Sequence, residues 1–422
     1  MKFVVIKPRG KAGSRDRGPI AFGTSAPKES VVSTREVSPD KVREASESAE
    51  YGFVAMPVGL IAPFSSSSED DDQRRKTLLK TEKDDRMTWG IRALFGTDPK
   101  KCPYDGEGVR VAILDTGINR KHPAFQDKNL KMICRNFLDD GQGEDAVDDE
   151  NGHGTHTAAT VFGRDVDGIR IGVAPGVKQV LIGKVLGEGS STATVLKGIE
   201  WACEERANVI LMSLGFDIVS MREEFANYGI DDKRLTPEEA TWRALSEMIR
   251  NVRVFDSLSQ YIGVRDDIAP IVVAACGNSS TRDGDPPSVI GSFFPAAAKG
   301  FFSVTAVRRT GKKTSPFEIA PFANSGAMLA GPGCDILSAA HDFEETGQPL
   351  RYLDGTSMAA PHVAGIAALW AQKLQQDRAP ELRDRIGTKL KEKCISVPKA
   401  KATSPVDYDV LYGIPRAPME SD

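Results

Sequence analysis

The chain has 422 residues, 40% of them hydrophobic and 27% charged, with a formal net charge of −4. This is the make-up of a folded globular protein with room for a large domain and an appendage, and its weak negative balance argues against nucleic-acid or anionic-membrane binding. No apolar run approaches the roughly 18 residues of a membrane helix.

In chain order, the start turns polar after Phe3-Val4-Val5-Ile6, too short for a signal-peptide core of about 7–15 residues. Six scattered cysteines with no CxxC pair read as reduced and buried, which favours a cytoplasmic protein, with secretion as the alternative. Residues 3–6 and 31–37 read as strands, and Ser38-Pro39-Asp40 opens a helix toward Glu50, with proline in its first turn. Residues 51–63 are extended and apolar, so 1–63 forms a small α+β segment. The serine-rich and acidic stretch from Phe64, turning basic toward residue 86, reads as an exposed linker.

From Met87 to the end, short β-rich runs (109–114, 180–185, 209–214, 271–275, 302–306) alternate with helical ones (155–161, 192–206). That alternation predicts an α/β domain, doubly wound, with a mainly parallel sheet and helices on both faces. Such sheets carry their sites at the carboxyl ends of strands. Residues 216–257 read as an insertion. Its helix from about Glu238 places Leu245, Met248, Ile249, Val252 and Phe255 at helical spacing, a stripe expected to pack on the core. Beyond Trp370, a charged helix over 381–393 and a basic stretch over 389–401 read as solvated surface.

Four motifs fall at the ends of these elements. Val111-Ala112-Ile113-Leu114-Asp115-Thr116-Gly117 ends a buried strand in a carboxylate, which suits either a turn cap or a group held near a histidine. Asn151-Gly152-His153-Gly154-Thr155-His156 opens a helix with a histidine between glycines, and histidine serves as a general base near neutral pH with little tuning. His156 shares the helix face of His153, but no further Cys or His lies nearby to complete a metal site, so it reads as packed and hydrogen-bonded. Ala274-Ala275-Cys276-Gly277-Asn278 sets a side-chain amide at a strand end, as a turn former or as a donor to an oxyanion. Asp354-Gly355-Thr356-Ser357-Met358-Ala359-Ala360-Pro361-His362-Val363-Ala364-Gly365 puts a serine at the mouth of a buried helix, where the backbone N–H groups have no helical partner.

Together the motifs resemble those of the subtilisin-like serine proteases, the subtilases, whose triad runs in the order Asp, His, Ser. The resemblance covers roughly residues 87–375. It implies a serine endopeptidase in which Ser357 is the nucleophile, His153 the base, Asp115 the orienting carboxylate and Asn278 the oxyanion donor. It also implies an extended polypeptide substrate bound between two edges, Gly187, Gly189 and Ser190 on one side and Ser213, Leu214 and Gly215 on the other. By position and pattern, residues 1–63 are similar to a subtilase propeptide, an intramolecular inhibitor whose tail lies in the cleft and is removed by self-processing; an accessory domain or a wrapped extension are the other readings.

Departures from the family pattern are the long insertion, the bulky Gly291-Ser292-Phe293-Phe294-Pro295 at the first pocket, and Ala124 where many relatives carry a calcium-binding aspartate. Asp165, Asp167, Asp148, Asp149 and Glu150 assemble no evident shell of the six to eight oxygens calcium takes. They read as solvated loops, so no metal and no cofactor is expected, with calcium as the alternative. Two other functions use the same site: a maturation enzyme that transfers the acyl group to an amine, and a silent relative that only binds peptides.

Overall fold

The structure is a computed structural model that describes residues 2–6, 32–36, 52–60, 69–96, 99–138, 141–227, 234–264, 269–313, 315–398, 409–419 and 422. The helix expected before Glu50 and the serine run of the linker lie outside these residues. The chain divides into two compact units, Met1–Pro57 with Ile218–Asn251, and Val58–Asp217 with Val252–Asp422.

In the first unit, strands β1 (Lys2–Ile6), β2 (Val32–Glu36) and β3 (Gly52–Val54) make an antiparallel sheet in the order β2-β1-β3. Phe3, Val4, Val32, Phe53 and Val54 are buried in it. Helix Ile218–Asn227 and the first part of helix Pro237–Val264 belong to the same unit. The stripe expected to be buried on the longer helix is partly the wrong one. Leu245 and Ile249 are 41% and 52% exposed, whereas Ala240, Ala244, Glu247 and Asn251 are buried. The reason lies in the edge strand β3, whose backbone groups need partners once buried. The Val54 N–H donates to Glu247 Oε2 (3.1 Å), and Asn251 Nδ2 donates to the Val54 carbonyl (3.0 Å). Backbone satisfaction outranks apolar periodicity here. Further along the helix Phe255 is buried against Phe216 and Phe301, as expected.

The second unit begins with β4 (Val58–Leu60) and continues with β5 (Arg110–Asp115), β6 (Lys131–Asn136), β7 (Gln179–Lys184), β8 (Val209–Met212), β9 (Leu214–Phe216) and β10 (Ile271–Ala275). After these come β11 (Phe302–Arg309), β12 (Phe317–Ile319), β13 (Ala327–Pro332), β14 (Ile336–Ala339), β15 (Leu350–Leu353), β16 (Cys394–Ile395) and β17 (Val410–Pro415). The main sheet has the order β16-β17-β13-β11-β10-β8-β5-β7-β6, with β12 beside β11. Only the β11–β12 and β16–β17 pairs are antiparallel; the others are parallel. Runs such as Val-Ala-Ile-Leu in β5 are buried at every residue, as in a sheet covered on both faces. From β5 the chain goes out to β6, returns through β7, then crosses to build outward from β8. The reversal between β5 and β8 is where an open α/β sheet forms its crevice.

The stretch read as an exposed linker carries a helix, Glu69–Asp85, with Leu78 and Glu82 buried. Glu82 accepts the Trp89 N–H (2.9 Å) and the Tyr352 hydroxyl (2.6 Å), and burial pushes its carboxyl up to about 7. Its polar composition concealed the helix, because Glu82 finds partners inside the fold instead of solvent.

Candidate active site

Helix His153–Phe162 starts at Gly152, which offers no side-chain cap. Asp149 supplies one. Its Oδ1 accepts the Gly152 N–H and the Thr116 hydroxyl, each at 2.8 Å, and its Oδ2 accepts the Thr155 N–H (2.8 Å) and hydroxyl (2.6 Å). Asp149 is therefore buried, not part of a solvated acidic loop. Burial pushes its carboxyl up, but the hydrogen bonds from Thr155, Gly152 and Thr116 outweigh that and hold it below its ordinary 3.8.

Thr116 in turn accepts the Gly154 N–H at 2.9 Å, fastening the helix start to the end of β5. Any side chain at Gly154 would strike the Gly117 carbonyl, so this approach requires glycine. It brings His153 Nδ1 to 2.7 Å from Asp115 Oδ1, with both residues 1% exposed. The other Asp115 oxygen accepts the Thr157 hydroxyl at 3.2 Å. Burial pushes the imidazole down, but the Asp115 carboxylate and its hydrogen bond more than offset this and hold His153 above 6.5. His153 Nε2 is buried and makes no hydrogen bond to the described residues, Ser357 included; contacts of this kind commonly close only around substrate. His156 faces the Ile336 and Arg351 carbonyls at 3.1 and 3.2 Å, and burial pushes it down to about 3. It is the packed, hydrogen-bonded helix residue expected.

Helix Thr356–Gln376 also lacks a cap of its own, since Gly355 precedes it. Asn278, just beyond β10, provides it: Oδ1 accepts the Thr356 N–H and hydroxyl, each at 2.9 Å. That orientation turns Nδ2, the donor end, toward Gly355, where a Cβ would lie 3.0 Å from it. Ser357 sits buried in the first turn. Four residues on, Pro361 has no N–H to give the Ser357 carbonyl. Ser213 Oγ, just past β8, donates to that carbonyl at 3.2 Å. The Ser213 side chain, expected among the substrate contacts, thus supports the backbone of the serine turn. Asp115, Ser213 and Asn278 stand at the carboxyl ends of three neighbouring strands, β5, β8 and β10.

The remaining expected substrate contacts enclose β4. Antiparallel pairing sets Val58 opposite Phe216, Gly59 opposite Gly215 and Leu60 opposite Leu214. On the other side the Val58 N–H donates to the Ser190 carbonyl (3.5 Å), and Ser190 Oγ donates to the Val58 carbonyl (2.7 Å). Gly187 and Gly189 form the turn behind Ser190, whose N–H donates to the Gly187 carbonyl at 3.2 Å, with Gly189 at φ +74°. An extended strand is therefore gripped between two edges, heading toward Ser213 and the serine turn. In the bulky segment noted at the first pocket, the Phe294 carbonyl accepts the Phe216 N–H (2.8 Å) and its ring stacks on that of Phe216, so it supports β9.

Among the described residues no group of three or more His, Cys, Asp or Glu side chains is set to hold a metal ion. None of the six cysteines is in a disulfide.

A family model described as the subtilase family, Peptidase S8, matches residues 106–404. The chain is 35% identical over 284 residues to the major intracellular serine protease of Bacillus subtilis (strain 168), covering 66% of this chain and 73% of that protein. It is 32% identical over 306 residues to subtilisin DY of Bacillus licheniformis, covering 72% and 90%. Fervidolysin from Fervidobacterium pennivorans, a keratinolytic enzyme related to subtilisin, matches in structure with a TM-score of 0.57 at 22% identity, covering 87% of this chain and 51% of that one. That likeness is one of fold, and it agrees with the doubly wound sheet.

Proposed function

The chain belongs to the subtilase family and is a subtilisin-like serine protease, and from that premise we propose that Ser357, His153, Asp115 and Asn278 carry the cleavage of internal peptide bonds. Ser357 Oγ attacks the carbonyl carbon while its proton passes to His153 Nε2. Asp115, bonded to Nδ1, fixes the tautomer and stabilises the imidazolium. The oxyanion is met by Asn278 Nδ2 and the Ser357 N–H. The C–N bond breaks as Nε2 returns the proton to the leaving amine. Water then attacks the acyl-enzyme with the same histidine as base, freeing the acid and restoring Ser357. The observation that carries this reading is the buried 2.7 Å Asp115–His153 pair, which leaves Nε2 as the ring nitrogen available for proton transfer.

The N-terminal segment acts as an intramolecular inhibitor that the enzyme removes. What supports this is β4, a strand of the chain itself lying where an extended substrate would lie. The setting is cytoplasmic, in keeping with cysteines that form no disulfide and with relatives named as intracellular serine proteases. No helix among the described residues is long and apolar enough to cross a membrane.

The test is digestion of casein in ¹⁸O-labelled water by the wild type and by Ser357→Ala, with the products read by mass spectrometry. Internal cuts bearing the label, made by the wild type alone, are expected. Cuts by Ser357→Ala would sink the assignment, and unlabelled products joined to an added amine would make the enzyme an acyl transferase.

A further inference from the structure

Asp354 immediately precedes Gly355, the residue that opens the nucleophile helix, and is buried. Its Oδ1 accepts the Asp335 N–H, and its Oδ2 accepts Arg75 Nη2 at 2.9 Å. Asp335 accepts Arg75 Nε (3.2 Å) together with Arg74 Nε (3.0 Å) and Nη2 (2.8 Å). The same turn holds the helix opening directly, since the Gly355 N–H donates to the Gly333 carbonyl at 2.7 Å. Trp89 Nε1 fixes the turn from behind through the Cys334 and Asp335 carbonyls, both at 3.0 Å.

Two carboxylates side by side in a buried place need cations. Burial, with Asp335 adding to it, pushes Asp354 up to about 6 even beside the arginines. Arg75 meets the need in a way lysine cannot, because its planar fork reaches Asp335 with one nitrogen and Asp354 with another.

We propose that Arg75 is a positioning residue for the nucleophile: through Asp354 it fixes the Gly355–Ser357 turn, which makes helix Glu69–Asp85 a working part of the protease. The proposal rests on the reading of Ser357 as nucleophile. Without Arg75, the buried Asp354 carboxylate loses its hydrogen-bonded cation while Asp335 keeps Arg74, and the Asp354 side chain relieves the strain by leaving its place, taking Gly355 with it. A displacement of about 1 Å at the reacting group costs on the order of a hundredfold in rate. In Asp354→Asn the side chain still accepts the Asp335 N–H yet carries no charge for Arg75 to offset, so this change should uncouple the turn from the arginine.

The experiment compares wild type, Arg75→Ala, Asp354→Asn and the double variant, reading kcat and KM on a peptide and the rate of fluorophosphonate labelling at Ser357. Expected for Arg75→Ala is a loss of about ten- to a hundredfold in kcat and labelling with KM moved less than about twofold, and a return of most of that loss in Arg75→Ala/Asp354→Asn. Arg75→Lys should fall between. Wild-type rates in Arg75→Ala, or a double variant no faster than Arg75→Ala, would overturn the proposal, since general destabilisation is not repaired by a second substitution. Should Arg75→Ala not fold, Arg75→Gln with and without Asp354→Asn makes the same comparison. A wild type that fails to label at Ser357 would instead overturn the nucleophile reading on which the proposal stands.

Discussion

Replacing Asp149 by asparagine probes the support beneath His153. The carboxylate accepts from the backbone N–H groups of Asn151, Gly152 and Thr155, and from the Thr116 and Thr155 hydroxyls. An amide presents one oxygen and one NH2, so one backbone N–H is left facing a donor. A buried donor without an acceptor costs about 1–3 kcal/mol, and loss of the negative charge at a helix N-terminus adds about 0.3–1 kcal/mol. The expected loss is therefore roughly 1.3–4 kcal/mol, the sum of the two. The assay is urea unfolding in a Ser357→Ala background, which prevents self-digestion, with the m-value checked for constancy. The pH dependence adds a second condition. The Asp149 carboxyl is held below 3.8 in the folded state, so its contribution is present above that value and disappears as pH falls through the folded-state value. The gap in stability between the parent protein and Asp149→Asn should hold from pH 7 to about 5 and close on further acidification. A cost under about 1 kcal/mol at pH 7, or a gap unchanged by acid, would refute the capping role.

Three further outcomes follow from the site. The acid limb of kcat/KM should lie above 6.5, because Asp115 holds His153 up and only the neutral ring accepts a proton; Asp115→Asn should move that limb downward, where burial then rules, and cut kcat by about 10⁴ as in other triads. Asn278→Ala should lower kcat by about 10²–10³ with little change in KM, the loss known for the matching donor of subtilisin itself; an effect confined to KM would remove it from the oxyanion. Ser213→Ala should cost about 1 kcal/mol of stability by removing the Ser213 hydroxyl from the Ser357 carbonyl. Adding Pro361→Ala, which restores an N–H four residues on, should recover part of that loss in thermal melts; a merely additive pair would refute the link.

The triad motifs were legible because each sits at the edge of a regular element: Asp115 closes a strand after the apolar run 111–114, and His153 and Ser357 open helices rich in small residues. What holds them in place was not legible. Asp149 looks like any acid in an acidic loop, and only the fold shows five donors converging on it. Glu247 and Asn251 sit on a face that periodicity assigns to solvent, because the partner they satisfy, the Val54 backbone, lies far away in sequence. Helix Glu69–Asp85 was hidden in the same way, since Arg74 and Arg75 read as solvated until Asp335 and Asp354 are placed opposite them. Apolar patterning reveals elements; it is blind to long-range pairing of polar groups.

The most direct measurement is intact-mass spectrometry and peptide mapping of wild type and Ser357→Ala after exposure to a fluorophosphonate. A single adduct on Ser357 in the wild type and none in Ser357→Ala is the expected result, with loss of an N-terminal piece in the wild type alone marking self-processing. An adduct on another residue, or equal labelling of both proteins, would contradict the assignment of Ser357 as the nucleophile.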